Sequence, residues 1–162
     1  MTLARCAPVA RLPIVARRWI VAALSLLAVA AAAAPAAAQR MPSPTHQEVL
    51  IKNSLIGFND AVQSGNFDVF HARLATPFRQ QFTPEKLRQA FRSFSDQGID
   101  IAPIAAQEPV MSEDPVIDGR GALLIRGYFA TKPSRVSFSL DYLMSDGAWK
   151  LISINVRVRP DE

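Results

Sequence analysis

Cysteine is almost missing from this chain. The only one, Cys6, precedes the first long apolar run, where it cannot serve as the lipidated cysteine that follows such a run in a lipoprotein. A chain cut after that run has no thiol, so disulfides, cysteine nucleophiles and thiolate metal sites are excluded. Histidine is equally scarce. His46 and His71 are far apart in sequence and, without cysteine, form no metal-ligand cluster. There is no glycine-rich phosphate loop, no GxSxG elbow and no HExxH pair.

Net charge is the next absence. The whole chain has 18 basic and 14 acidic residues, net +4, and an isoelectric point of about 9.7. Four of the arginines (Arg5, Arg11, Arg17 and Arg18) and none of the acids lie ahead of Gln39, so the remainder is neutral. A neutral domain has no global field with which to gather nucleic acid or anionic lipid, and no nucleic-acid partner is expected.

What stands at the N-terminus is a basic stretch followed by WIVAALSLLAVAAAAAPAAA, an uncharged run. This is the layout of a secretory signal, and residues 1–38 are read as one, with Ala36 and Ala38 as the small residues before the cut. A secreted or periplasmic protein follows. The alternative is a retained anchor and a membrane-tethered domain, since the run from Trp19 to Ala38 is long enough for a bilayer core of roughly 30 Å. Arg17-Arg18 ahead of Trp19 half resembles a twin-arginine export signal, but such pairs are common in ordinary leaders.

Residues 39–44 are polar and proline-bearing, a flexible leader. Thr45-His46-Gln47-Glu48 has the form of a capping box, and Ile51, Leu55, Phe58 and Val62 follow at helical spacing up to Gly65. The first helix is therefore predicted from about His46 to Ser64. A second, shorter helix buries Phe67, Phe70 and Leu74 and is interrupted at Pro77. Thr83-Pro84-Glu85 starts a third, with Leu87, Ala90, Phe91 and Phe94 as its buried stripe and Gly98 as its stop.

After Gly98 the period changes. Ile99, Ile101 and Ile104 predict a strand that Pro103 and Pro109 confine to an edge or break into pieces. Residues 112–121 read as a turn-rich connection. Three longer strands follow, Ala122 to Ala130, Arg135 to Met144 and Ala148 to Val158, and residues 159–162 form a tail. Helices first and an antiparallel meander after them make an α+β domain over residues 45–158, with three helices packed on a curved sheet of about four strands.

Hairpin register assigns the faces. A three-residue loop Ser145-Asp146-Gly147 pairs Met144 with Ala148, Tyr142 with Lys150, Leu140 with Ile152 and Phe138 with Ile154. A turn at Lys132-Pro133 sets Phe129 opposite Val136, Gly127 opposite Phe138 and Ile125 opposite Leu140. Gly127 then makes room for the Phe138 ring. One face collects Val136, Phe138, Leu140 and Tyr142 with Ile152, Ile154, Val156 and Val158, and this apolar side meets the helices. The other carries Arg126, Tyr128, Ser137, Ser139, Asp141, Ser153, Asn155 and Arg157, with Leu143, Trp149 and Leu151 as an apolar group.

Three N-terminal helices, the passage GNFDVFHARLATPFRQQFTPEKLRQAF and a closing strand that begins DGAWKLISINV resemble the nuclear transport factor 2-like superfamily, the cystatin-like cone. Within it the chain is similar to small secreted domains of unknown function, over about Thr45 to Val158. The resemblance implies a curved sheet wrapped round the first helix and a pocket between its concave face and the helices. Members include isomerases, cyclases and lyases that place carboxylates, histidines or tyrosines in the cone, and modules that only bind or dimerise.

Such an enzyme needs a general base facing the pocket. The inner face offers Tyr142 and no carboxylate, and Asp141 is expected on the other side beside Arg126. Tyr142, Asp60 and His71, the last with Asp68 three residues before it, are the weak catalytic candidates, so no catalytic residue is assigned. The pocket implied by the resemblance has Phe58, Val62, Phe70 and Phe91 on its helical side. Phe138, Leu140 and Ile154 line its sheet side, although filling a core is the ordinary role of such residues. Arg126, Tyr128, Leu143, Trp149, Leu151 and Asn155 have the composition of a protein contact, for a second copy or another partner. The reading is an exported, non-enzymatic binding or interaction domain with no cofactor and no metal, holding an apolar small molecule. An isomerase, cyclase or lyase acting on a small apolar substrate is the alternative.

Overall fold

Ser43 starts the first helix, two residues ahead of the predicted cap, and Pro44 takes the first helical position, where its fixed φ fits and its missing N–H is not needed. The Ser43 hydroxyl accepts a hydrogen bond from the His46 amide at 3.3 Å. The computed structural model describes residues 40–160, all within the unit Gln39–Glu162. The signal reading for residues 1–38 lies outside the described residues, as do its cleavage and anchor alternatives. Among the described residues no helix is long and apolar enough to cross a membrane.

Helix α1 spans Pro44–Ser64 and buries Ile51, Leu55, Phe58, Ala61 and Val62 along one stripe, as the spacing predicts. Gly65, at φ 68°, ends it in the left-handed conformation that glycine adopts without strain. Where three helices were predicted there are five α-helices among the described residues. Helix α2 is Asp68–Arg73 and α3 is Thr76–Gln81, for the chain turns extended at Leu74 and Ala75 and Pro77 then opens a new helix. The predicted third helix is two, α4 Pro84–Ala90 and α5 Arg92–Asp96, separated at Phe91. At that break the Phe91 ring meets Phe58 edge-on, with centroids 4.7 Å apart.

The strand expected around Ile99 to Ile104 is instead a 3-10 helix, Ala102–Ala106. Ile101 and Ile104 lie three residues apart, the period of that helix, and both are buried. Asn59 on α1 fixes this segment: its amide donates to Asp100 Oδ1 at 2.8 Å, and its own oxygen accepts from the Ile101 amide at 3.0 Å.

The sheet is antiparallel and five-stranded. Strands β1 (Val110–Met111) and β2 (Val116–Ile117) both pair with β3 (Ala122–Phe129), which pairs with β4 (Ser134–Ser145), and β4 with β5 (Ala148–Pro160). Short β2 falls inside the stretch predicted as connection only. The β3–β4 register matches the sequence reading: Phe129 faces Val136, Gly127 faces Phe138 and Ile125 faces Leu140. A Cβ on Gly127 would stand 2.7 Å from Phe138 Cζ and 2.5 Å from the Val110 carbonyl oxygen, so ring and strand β1 both need the glycine.

The β4–β5 register differs. Asp146 and Gly147, at φ 53° and 75°, form a two-residue turn, so Ser145 pairs with Ala148 and Tyr142 with Leu151. A bulge follows: Asp141 pairs with Ser153, Leu140 with Ile154 and Phe138 with Val156. Beyond the bulge the inner face keeps Ile154, Val156 and Val158. On the turn side it gains Trp149 and Leu151, which are 8% and 4% exposed. The expectation that these two share the outer face is therefore corrected. The core joins this inner face to α1, with Phe58, Leu55, Ile125 and Leu140 wholly buried.

Candidate ligand cleft

On the turn side of the bulge a cleft opens between α1, α2 and the long strands. Leu50, Asn53 and Ser54 reach it from one face of α1, at the i, i+3, i+4 spacing that brings helical side chains together. Phe70, Arg73 and Leu74 come from α2 and the residue that caps it, at the same spacing. Tyr142 on β4 and Trp149, Lys150 and Leu151 on β5 complete a half-open cleft of about 440 Å³. The Ala75 amide donates to the Leu151 carbonyl at 3.0 Å and ties the α2–α3 linker to β5 beside the bulge.

Tyr142 is 1% exposed. Its hydroxyl donates to the Leu50 carbonyl at 3.0 Å and lies 3.0 Å from Ser54 Oγ. Since the phenol has one proton and gives it to Leu50, Ser54 donates to the phenol oxygen. Burial pushes the Tyr142 phenol well above its ordinary value of 10.0, against a smaller opposing effect of the Ser54 hydrogen bond. At neutral pH it is a protonated group whose proton is already committed to the backbone.

No carboxylate or histidine lines this cleft; its charged residues are Arg73 and Lys150. The Lys150 ammonium donates to Asp146 Oδ2 at 2.5 Å, and this bond, with a second from the Ser145 hydroxyl, holds the Asp146 carboxyl below its ordinary range. Arg73 has no hydrogen-bond or ion-pair partner among the described residues.

The three catalytic candidates are not brought together. Asp60 is exposed and borders a neighbouring cleft with Gly57 and Val69, which shares Phe70 and Arg73 with the first. The His71 ring places Nε2 3.3 Å from the Arg79 carbonyl oxygen, and this backbone group is its partner rather than Asp68. Of the residues proposed for the pocket, Phe70 lines the cleft. Phe58, Val62 and Leu140 belong to the packed core, with the half-buried Phe91 and Ile154 packed against it, and Phe58 meets Phe70, Phe91 and Phe94 edge-on. Phe138 is buried too, at 4%, and underlies a shallow polar depression on the outer face.

That outer face carries Arg126 and Asp141 as a cross-strand pair, Nη2 to Oδ1 at 2.7 Å. Arg126 also donates to the Leu140 carbonyl at 3.0 Å. The Arg135 guanidinium lies 4.7 Å from the Tyr128 ring centroid. Asn155 is exposed, and Leu143 is half-buried beside its partner Lys150. Trp149 and Leu151 are not on this face, so the proposed contact loses its largest apolar members.

Leu50, Asn53, Ser54, Arg73 and Lys150 are the cleft residues that sequence reasoning missed. Arg73 carried a signal, three residues after Phe70 on a helix whose buried side was already identified. Among the described residues no group of three or more His, Cys, Asp or Glu lies close enough together to hold a metal ion. Compared with known proteins, the chain matches no family model, no curated protein and no solved structure.

Proposed function

We propose that this chain is an exported binding domain of the nuclear transport factor 2-like, cystatin-like cone type, which holds a small molecule in the Tyr142 cleft without transforming it. The observation that carries this reading is the state of Tyr142. It is the one ionisable side chain on the inner face of the long strands, and burial keeps it protonated. Proton abstraction from a carbon acid needs a base of suitable pKa within reach of the substrate, and the cleft lining provides none. Asp141, the only acid on strands β3, β4 and β5, is paired with Arg126 on the other face. The cleft volume, about 440 Å³, falls in the range of small-molecule sites, and the lining mixes apolar walls with a few polar groups in the usual way.

The outer face, with Arg126, Tyr128, Leu143 and Asn155, is the surface proposed for contact with a second copy or a protein partner. Export rests on the leader alone, with cleavage after Ala38.

Native mass spectrometry of the protein as made by its own cell tests these readings together. The expected spectrum shows a chain beginning at Gln39 with one small molecule per chain, released intact on unfolding. A ligand-free chain, or release of a chemically altered form of a molecule supplied to it, contradicts the binding reading. A mass equal to that of the whole chain contradicts cleavage.

A further inference from the structure

We propose that a second copy of this chain pairs with the free edge of β5, antiparallel to it about a twofold axis at Val156, so that the two sheets join into one. This edge is a surface distinct from both the outer face and the cleft.

The two edges of the sheet are built differently. On one side lie β1 and β2, two residues each, with Pro109 and Pro115 directly ahead of them. Short, proline-flanked strands are an ordinary way of closing an edge to further pairing. The other edge is β5, which runs 13 residues from Ala148 to Pro160 and has β4 as its one strand neighbour. Its first part is occupied: the Ala75 amide donates to the Leu151 carbonyl at 3.0 Å, and the bulge follows. From Ser153 to Arg159 the register with β4 is unbroken and there is no proline. Among the described residues, no backbone group outside β4 bonds to this stretch. An edge strand turns alternate amides and carbonyls away from its neighbour, and a further strand satisfies them.

The side chains of this stretch complement themselves when the strand is reversed. With Val156 facing its own copy, Ile154 faces Val158, Asn155 faces Arg157 and Ser153 faces Arg159. Ile154 and Val158 are both half-buried on the inner face, packed against the core without being enclosed by it, and this register covers each with the other. The arginines meet only asparagine and serine. Moving the axis one residue on, to Arg157, sets that arginine against its copy, a like-charge pair that weakens a ladder. Moving it one residue back, to Asn155, brings the bulged Ile152 into the ladder opposite Val158. Opposed residues share a face, so the inner surfaces of the two sheets stay on the same side, and the closed twofold leaves no edge for a third copy to extend.

Sedimentation equilibrium of the protein as purified from its producing cell, from micromolar to near-millimolar concentration, is expected to show a monomer–dimer equilibrium. Amide exchange should slow at alternate residues between 153 and 159 as the dimer forms. In a mixture of labelled and unlabelled protein, NOEs between copies should connect Ile154 with Val158. Asn155 is exposed, so substitutions there act on the pairing without entering the core. Asn155→Arg meets Arg157 of the second copy twice in the dimer and should weaken it roughly fivefold, whereas Asn155→Glu should tighten it by about the same factor at low salt.

A chain that stays monomeric over this range overturns the proposal. A dimer whose contacts run through Tyr128 and Leu143, with β5 exchange unchanged, overturns it in favour of the outer face. A dimer that Asn155→Glu weakens as much as Asn155→Arg does overturns the Val156 axis.

Discussion

The Tyr142 hydroxyl, on the fourth strand, gives its proton to the carbonyl of Leu50, in the first helix, across 3.0 Å. One bond thus joins the sheet to the helix beside the cleft and engages the proton of the one ionisable side chain on the inner face of the long strands. The contact lies 92 residues apart in sequence, so it forms only when helix and sheet have docked.

Tyr142→Phe should therefore destabilise the domain by about 1 kcal/mol, since it removes the hydroxyl that bonds both the Leu50 carbonyl, which keeps its helical partner, and the half-buried Ser54 hydroxyl. The change also carries a pH signature. A phenol whose pKa is raised by folding stays protonated while the unfolded chain ionises, so its contribution is complete below pH 10.0 and is lost as pH rises above it. The loss is about 1.4 kcal/mol per pH unit. Urea unfolding from neutral to alkaline pH should show a steeper decline for the wild type than for Tyr142→Phe.

Gly127→Ala tests the packing of the sheet edge. The added methyl meets backbone at Val110 and ring at Phe138, so relief by side-chain rotation covers only half the clash. A loss of about 1–3 kcal/mol is expected, with faster hydrogen exchange in β1. Phe138→Leu in the same chain should recover part of the stability and leave the β1 exchange unchanged.

Asn59→Ala removes a buried side chain that serves both Asp100 and the Ile101 amide. About 1–3 kcal/mol should be lost in chemical denaturation, because the Ile101 donor is left buried without a partner. Asp100→Asn keeps an acceptor at that position and should cost much less.

Asp141→Asn separates the two faces of the sheet. Its partner Arg126 is 26% exposed and the carboxylate 20%, so the pair is worth about 1 kcal/mol or less. Stability should fall by no more than that, and binding in the cleft should be unchanged. A large loss of ligand affinity would mean that this carboxylate acts in the site after all.

Much of this architecture was legible in the residues. The α1 stripe, the glycine stops and the β3–β4 register follow from periodicity and from Gly127 facing Phe138, all of which are local. The β4–β5 register was misread for a specific reason. Along Trp149-Lys150-Leu151-Ile152-Ser153-Ile154 the apolar alternation changes phase between Leu151 and Ile152. A single unbroken strand cannot satisfy both phases, and the bulge does. Taking the strand as regular put Trp149 and Leu151 on the wrong side and hid the wall of the cleft. The helix count failed for another reason: Pro77 opens a helix after the extended Leu74 and Ala75 instead of interrupting one, and nothing in the stripe of Phe91 and Phe94 marks the break at Phe91.

The central claim is that the interior of this domain holds a tyrosine that stays neutral and does no acid–base work. Carbon-13 NMR of tyrosine-labelled protein, followed against pH, measures this directly. The account predicts a Tyr142 phenol still protonated well above pH 10.0. A Tyr142 phenolate forming near neutral pH would contradict it and make that residue a candidate base.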